Sequence, residues 1–333
     1  MKLQPAYRTI AVLMLASLPG AGSAAISGGA ASAETAYPTR PIRMLVANAA
    51  GSSVDTLGRI FAQALSVEIG QPVVIDNRPG AGGVLGMEIA KNANPDGYTV
   101  LSVGNGAMTI APHTYRKPAY DPLRDYEFVS LYCITPNVLV VNPSLPLKSV
   151  KDFIDYSRGK SGQLNMASAG LGSQSHLAGV LFASMAKFES LHVPYKGGGP
   201  SVASVVAGEA QWTLTPAPAV AGLIRAGKLR AIAHSLSRHD PLFAELPPIA
   251  DTVPGFEFSG WIGLLAPRGT PKPIVEKLRT VLLKSVQTPE VKKGFEAQYS
   301  QVTTTTPGEF RDRVAREGKL MAVVVQAAGL KLE

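Results

Sequence analysis

The feature that most constrains the fold is a unit that recurs along the chain: a short apolar strand, a loop of small residues with glycine, then a helix-period segment. Its first copy is a strand over residues 42–47, followed by Asn48-Ala49-Ala50-Gly51-Ser52-Ser53. Leu57, Ile60, Phe61, Ala64 and Leu65 then recur at the spacing of one helix face, and Gly70 is placed to end that helix. Two further copies begin at residues 72–75, before Asn77-Arg78-Pro79-Gly80-Ala81-Gly82-Gly83, and at residues 98–103, before Gly104-Asn105-Gly106. Such alternation implies a mostly parallel sheet with helices on its faces.

A second series starts with the apolar strand 137–141 and a helix capped by Ser149, with Asp152 three residues on. Strand 164–167 leads to Ser173-Gln174-Ser175-His176. Strand 191–195 leads to a helix after Pro200, and strand 211–214 to one ending at Gly227. Residues 229–235 read as a strand. Beyond the prolines at 247, 248 and 254, residues 261–265 read as another, and there the chain returns to the first series. Thr270-Pro271 opens a helix with Ile274, Leu278, Val281, Leu282 and Val286 on one face. Thr306-Pro307-Gly308-Glu309 is a capping box ahead of Phe310, Val314, Met321 and Val325.

The N-terminus carries Lys2 and Arg8, then an apolar run over residues 10–18, then small residues, the order of a cleavable secretory signal. A membrane span needs roughly 20 apolar residues, about twice this run. Ala31-Ser32-Ala33 and Gly22-Ser23-Ala24 both fit a cleavage site; the first makes residues 1–33 the signal peptide and leaves about 300 residues, enough for two medium domains. No later run reaches bilayer length unbroken, so no direct membrane span is expected after processing. The formal charge of +8 falls by two with Lys2 and Arg8, and the other basic residues are dispersed, which disfavours nucleic acid as a partner. Cys133 is the one cysteine, so no internal disulfide forms, and its apolar surroundings predict a buried core thiol.

Loops that leave parallel strands and open helices aim backbone N–H groups at one point beyond the sheet. Residues 49–53 and 168–175 are therefore the leading ligand contacts, with Asp55 either facing the cleft or stabilising its own helix start. Gly80-Ala81-Gly82-Gly83-Val84-Leu85 fails a dinucleotide fingerprint at Leu85, which leaves a turn with close helix packing and no cofactor. The five histidines lack metal-ligand spacing and no serine sits in a Gly-x-Ser-x-Gly elbow, so no metal site and no catalytic residue is predicted.

Residues along the whole mature chain resemble the Bug family of periplasmic solute-binding proteins, binding components associated with tripartite tricarboxylate transporters. The matching segments include Arg40-Pro41-Ile42, Asn77-Arg78-Pro79-Gly80-Ala81-Gly82-Gly83, Pro95-Asp96-Gly97-Tyr98-Thr99, Ser175-His176-Leu177-Ala178-Gly179 and Val193-Pro194-Tyr195-Lys196-Gly197. The resemblance implies an α/β, two-lobed periplasmic-binding-protein fold, each lobe a mostly parallel sheet flanked by helices, with the ligand cleft between lobes. The expected lobes are residues 34–137 with 258–333, and residues 138–257. It also implies a periplasmic, non-enzymatic receptor that holds a small carboxylate and hands it to transporter subunits in the membrane. A ligand-sensing adaptor for a membrane signalling protein, or an exported hydrolase, is the competing expectation. By resemblance the carboxylate meets Ala50, Gly51, Ser52 and Ser53 of the first loop, beside Asn105, with Ser168, Ala169, Gly172, Ser173 and Gln174 from the second lobe. Family members often carry acidic residues where this chain has Gln211 and Thr215, and asparagine at Pro216. A neutral Thr215 therefore points to a ligand without an ammonium group.

Overall fold

Strands and helices alternate through residues 37–114, 119–160 and 162–327, which a computed structural model describes. The predicted signal peptide lies outside the described residues. The first run is β1 (Ile42–Val46), α1 (Ser53–Ile69), β2 (Val73–Asn77), α2 (Val84–Lys91), β3 (Thr99–Gly104) and α3 (Ala111–Thr114). The second is β4 (Tyr126–Val141), α4 (Val150–Gly159), β5 (Asn165–Ser168), α5 (Gln174–Ala186), β6 (Leu191–Pro194), α6 (Gly198–Ala207), β7 (Trp212–Pro216), α7 (Ala221–Arg225) and β8 (Arg230–His234). The chain closes with β9 (Ser259–Pro267), α8 (Lys272–Ser285), α9 (Pro289–Glu296), β10 (Gln301–Val302) and α10 (Pro307–Ala327).

The first lobe's sheet runs β2-β1-β3-β9-β4, with β10 also on β4; β2, β1 and β3 are parallel, while β9 and β10 pair antiparallel. The second lobe's sheet runs β6-β5-β7-β4-β8, parallel from β6 to β7 and antiparallel around β4. Each lobe thus keeps three parallel strands, and the antiparallel members are those that carry the chain between lobes and their partners. Helices cover both faces, so β1 is apolar nearly throughout: Met44 packs against Leu57 and Phe61 of α1, while Leu45 faces Met87 of α2 and Phe310 of α10. Phe153, Phe182, Phe188 and Trp212 form the aromatic centre of the second lobe. Cys133 is fully buried beside Tyr132 in the first lobe's core.

The long strand β4 was legible only from Asn137 onward. Its earlier part, from Tyr126 to Pro136, pairs with β9, and Asn137–Val141 then takes β7 and β8 as partners. Pro136 sits at that change of partners, where a missing N–H costs the ladder least. The second crossing lies beside the first. The Asn137 amide donates to Ser235 Oγ (2.7 Å), the Ser235 amide donates back to the Asn137 carbonyl (2.9 Å), and Ser235 Oγ donates to the Phe258 carbonyl.

Candidate functional site

A cavity of about 570 Å³ lies between the lobes, at the carboxyl ends of the parallel strands. Its first-lobe wall is the β1–α1 loop, the Pro79–Gly83 turn and the segment from Gly104 to Ala107. Its second-lobe wall comes from the loops after β5, β6 and β7.

Three helices start at this cavity. Ser52 caps α1, its Oγ accepting from the Asp55 amide (3.3 Å), and Ser173 caps α5, its Oγ accepting from the His176 amide (3.3 Å). Each cap takes the amide of the third helical residue and leaves the first two: Ser53 and Val54 in α1, and Gln174 and Ser175 in α5, have no acceptor among the described residues. α6 starts at Gly198 after the N-cap Gly197, and Gly198 and Gly199 likewise keep their amides unpaired. All three helices are at least ten residues long, so each presents partial positive charge to the cavity. Among the described lining residues only Lys196 bears a charge, and none is a carboxylate. Asn105 adds a polar side chain that is 5% exposed, with Oδ1 lacking any partner.

The predicted contacts divide. Ser52, Ser53, Asn105, Ala169, Ser173, Gln174 and Thr215 line the cavity. Ala50, Gly51, Asp55, Ser168 and Gly172 do not. Asp55 is turned into its own loop, accepting from the Gly51 amide (2.9 Å) and Asn77 Nδ2 (2.9 Å) and pairing with Arg59 (2.8 Å). Burial opposes its ionisation, but the hydrogen bonds from Arg59, Gly51 and Asn77 outweigh that and hold its pKa below the usual carboxylate range. The Gly51 amide is thereby occupied. A Cβ at Gly51 would meet nothing within 4 Å, and its φ of 76° rather than space is what asks for glycine. Gly172 supports the second-lobe loop instead: its amide donates to His176 Nδ1 (3.1 Å), and a Cβ there would lie 2.7 Å from Thr114 Cγ2.

Ser168 is fully buried, with Oγ 2.6 Å from His192 Nε2. His192 stacks on His176 with centroids 3.8 Å apart. This serine is fully buried and does not line the cavity, out of reach of a ligand held there, which is not the arrangement of an activated nucleophile. Burial, with His192 as a neighbour, pushes the His176 pKa down to about 3, and burial takes His192 down to about 4. Both are neutral at pH 7. Gln174 has a second role: its Nε2 donates to Asn137 Oδ1 (2.6 Å), linking the cavity wall to the strand crossing.

Several lining residues were not anticipated as contacts. Pro79, Gly80, Gly82 and Gly83 form wall, and the expected close packing falls on Gly86, where a Cβ would lie 2.6 Å from Ala47 Cα, and on Gly83, where it would lie 3.0 Å from Ala107 Cβ. Pro194, Tyr195, Lys196, Gly197 and Gly198 also line the cavity. Their signal was the glycine run following a strand, the same signature that marked the first loop.

Two α/β lobes joined by two adjacent crossings, with a donor-lined cleft at the strand ends, define the periplasmic-binding-protein fold. The family model described as "Tripartite tricarboxylate transporter family receptor" matches residues 57–328. This chain belongs to that family. Protein BugT of Bordetella pertussis is 36% identical over 304 residues, covering 91% of this chain and 93% of BugT. Among solved structures, the periplasmic binding protein BugD matches with a TM-score of 0.85 at 28% identity, over 89% of this chain and 100% of BugD. Rpa4515 of R. palustris with adipate matches at 0.85 and 33% identity, over 88% and 98% of the two chains. MatC of Rhodopseudomonas palustris with bound malate matches at 0.80 and 30% identity, over 87% and 100%.

Proposed function

We propose that this chain is an exported receptor that captures a small carboxylate between its lobes and delivers it to a tripartite tricarboxylate-type transporter in the membrane. The observation that carries this reading is the convergence of three helix N-termini on a cavity: among the described residues their first amides have no acceptor and no carboxylate lines the wall. Such a surface solvates an anion with fixed donors and disfavours a cation. Adipate and malate in the two structural neighbours support the same ligand class.

Residues 34–137 with 258–333 form one lobe in this proposal, and residues 138–257 the other. Ser52, Ser53, Asn105, Ser173, Gln174 and Thr215 are the contacts we assign to the ligand, with Lys196 at the rim. The leader 1–33 directs the chain to the periplasm, where the processed protein starts at Glu34. No described helix is long and apolar enough to cross a membrane.

A thermal-shift panel at pH 7 tests the ligand class, comparing aliphatic, aromatic and hydroxy carboxylates with amino acids. A ligand at about one hundred times its Kd should stabilise the protein by about 2.7 kcal/mol. Stabilisation by carboxylates lacking an ammonium group is expected; a preference for amino acids, or no response to any acid, would count against the assignment.

A further inference from the structure

The loops that open α1 and α5 are built alike, one in each lobe. Each reads Gly-Ser-x-x and then a residue whose side chain can accept a hydrogen bond: Gly51-Ser52-Ser53-Val54-Asp55 and Gly172-Ser173-Gln174-Ser175-His176. Gly51 (φ 76°) and Gly172 (φ 69°) both take the left-handed conformation. The Ser52 amide donates to the Ala49 carbonyl and the Ser173 amide to the Gly170 carbonyl, each at 3.1 Å. Both serines accept from the amide of the third helical residue, and the side chain of that residue reaches back in turn. Asp55 Oδ2 accepts from the Gly51 amide (2.9 Å), and His176 Nδ1 accepts from the Gly172 amide (3.1 Å).

This is a capping box whose returning hydrogen bond falls one residue before the cap. A carboxylate is the stronger acceptor for that bond and is favoured at a helix N-terminus. The first loop uses one, and Arg59, one turn further along α1, pairs with it at 2.8 Å, so the charge is balanced inside the lobe. The position one turn on from His176 is Val180, and among the described residues no ion pair involves residues 168–176. An unbalanced carboxylate at position 176 would cancel the positive end of α5 and repel an anion held there. A neutral imidazole accepts the same hydrogen bond and adds no charge.

His176 is 2% exposed and does not line the cavity, so it acts through the loop. Ser175 Oγ accepts from the Ala169 amide (3.0 Å), Ser168 Oγ from the Gly170 amide (3.2 Å) and His176 from Gly172. The Leu171, Gln174 and Ser175 amides are left without an acceptor among the described residues, and all three residues line the cavity. Burial and the stacked His192 ring disfavour the imidazolium, which would have no lone pair for Gly172.

We propose that His176 is a positioning residue for ligand binding: its neutral Nδ1 fixes the loop that offers the Leu171, Gln174 and Ser175 amides, where the first lobe uses a carboxylate balanced by arginine. On the carboxylate-receptor reading, on which this rests, the choice of imidazole keeps the second lobe's donors free of a competing negative charge.

The test uses the mature protein with adipate, malate and benzoate as calorimetric probes at pH 7. Asparagine and aspartate have the same shape, and aspartate is the acceptor that already makes this bond in the first loop. His176→Asn should bind whichever probe binds wild type within about three-fold of the wild-type affinity. His176→Asp should bind it about ten-fold more weakly than His176→Asn does. His176→Leu, which leaves the Gly172 amide without an acceptor, should also lose about ten-fold relative to His176→Asn. A merely structural histidine would give no split by charge between the two isosteric variants, each measured well below its own melting temperature. Nitrogen-15 NMR of the wild-type ring supplies a readout independent of any variant: the proton should sit on Nε2, with Nδ1 bare. Equal affinity of His176→Asn and His176→Asp would overturn the charge role, and a proton on Nδ1 would overturn the acceptor role, while wild type still binds its acid in both cases. Failure of wild type to bind any of the three acids would instead count against the receptor reading and take this inference with it.

Discussion

Ser52 and Asp55 show how one helix start can hold a cavity-lining residue and one turned inward three positions apart. Ser52 Oγ is committed to the Asp55 amide, so Ser52→Ala removes a helix cap before it removes any ligand contact. Thr215 is the opposite case, 2% exposed and on the cavity wall with no structural charge to balance. Thr215→Asp would place a carboxylate in a wall built of donors, and a ten-fold or greater loss of carboxylate affinity is expected by titration at pH 7, with the ligand-free fold retained. The stacked pair His176 and His192 gives a pH dependence. Both pKa values are depressed in the folded protein, to about 3 and about 4, while the unfolded chain titrates near the ordinary value of 6.5. Above pH 6.5 both states are neutral and the pair's contribution is complete. As pH falls below 6.5 the unfolded state takes up protons that the folded state refuses, so stability declines towards the folded values. Melting temperature should therefore drop between pH 7 and pH 4.5, and the drop should be smaller in His192→Asn. Only part of the cavity wall was legible from small residues at strand ends, since the Pro79–Gly83 turn and the Pro194–Gly198 segment were not anticipated. The sequence could not distinguish Asp55 facing the cleft from Asp55 turned inward, because that depends on Asn77, twenty-two residues away.

At the scale of elements, local signals were reliable where the chain itself supplies the partner. Gly70 ends α1 with φ 75°, and Ser149 caps α4 by accepting from the Asp152 amide. The capping box at Thr306 is formed in both directions: the Thr306 amide donates to Glu309 Oε2 (2.8 Å) and the Glu309 amide to Thr306 Oγ1 (3.2 Å). Thr306→Ala should cost about 1 kcal/mol in denaturant unfolding without altering ligand affinity. Where partners are distant, the reading fell short. Residues 126–136 show no alternation because β4 is buried on both faces, and Pro136 looks like a strand breaker unless the change of partner strand is known. α6 starts at Gly198 rather than after Pro200, since proline is tolerated in a first turn that needs no N–H. α9 was overlooked although Thr288-Pro289 is a well-formed start, with Thr288 Oγ1 accepting from the Val291 amide.

At the scale of the molecule, the order of strands has a bearing on how the chain is made. β9 lies between β3 and β4 in the first lobe's sheet, yet it follows the whole second lobe in sequence. While residues 259–267 are still unmade, β3 and β4 have no strand to join them, and the first lobe exists only as the β2-β1-β3 fragment. Second-lobe residues from β4 to β8 are all in hand by then. Synthesis from the N-terminus therefore leaves the first lobe open until nearly four-fifths of the chain has emerged. Pairings of such long sequence separation also form slowly. Under the export proposed above, a translocation channel that accepts only unfolded polypeptide would gain time from the position of one strand.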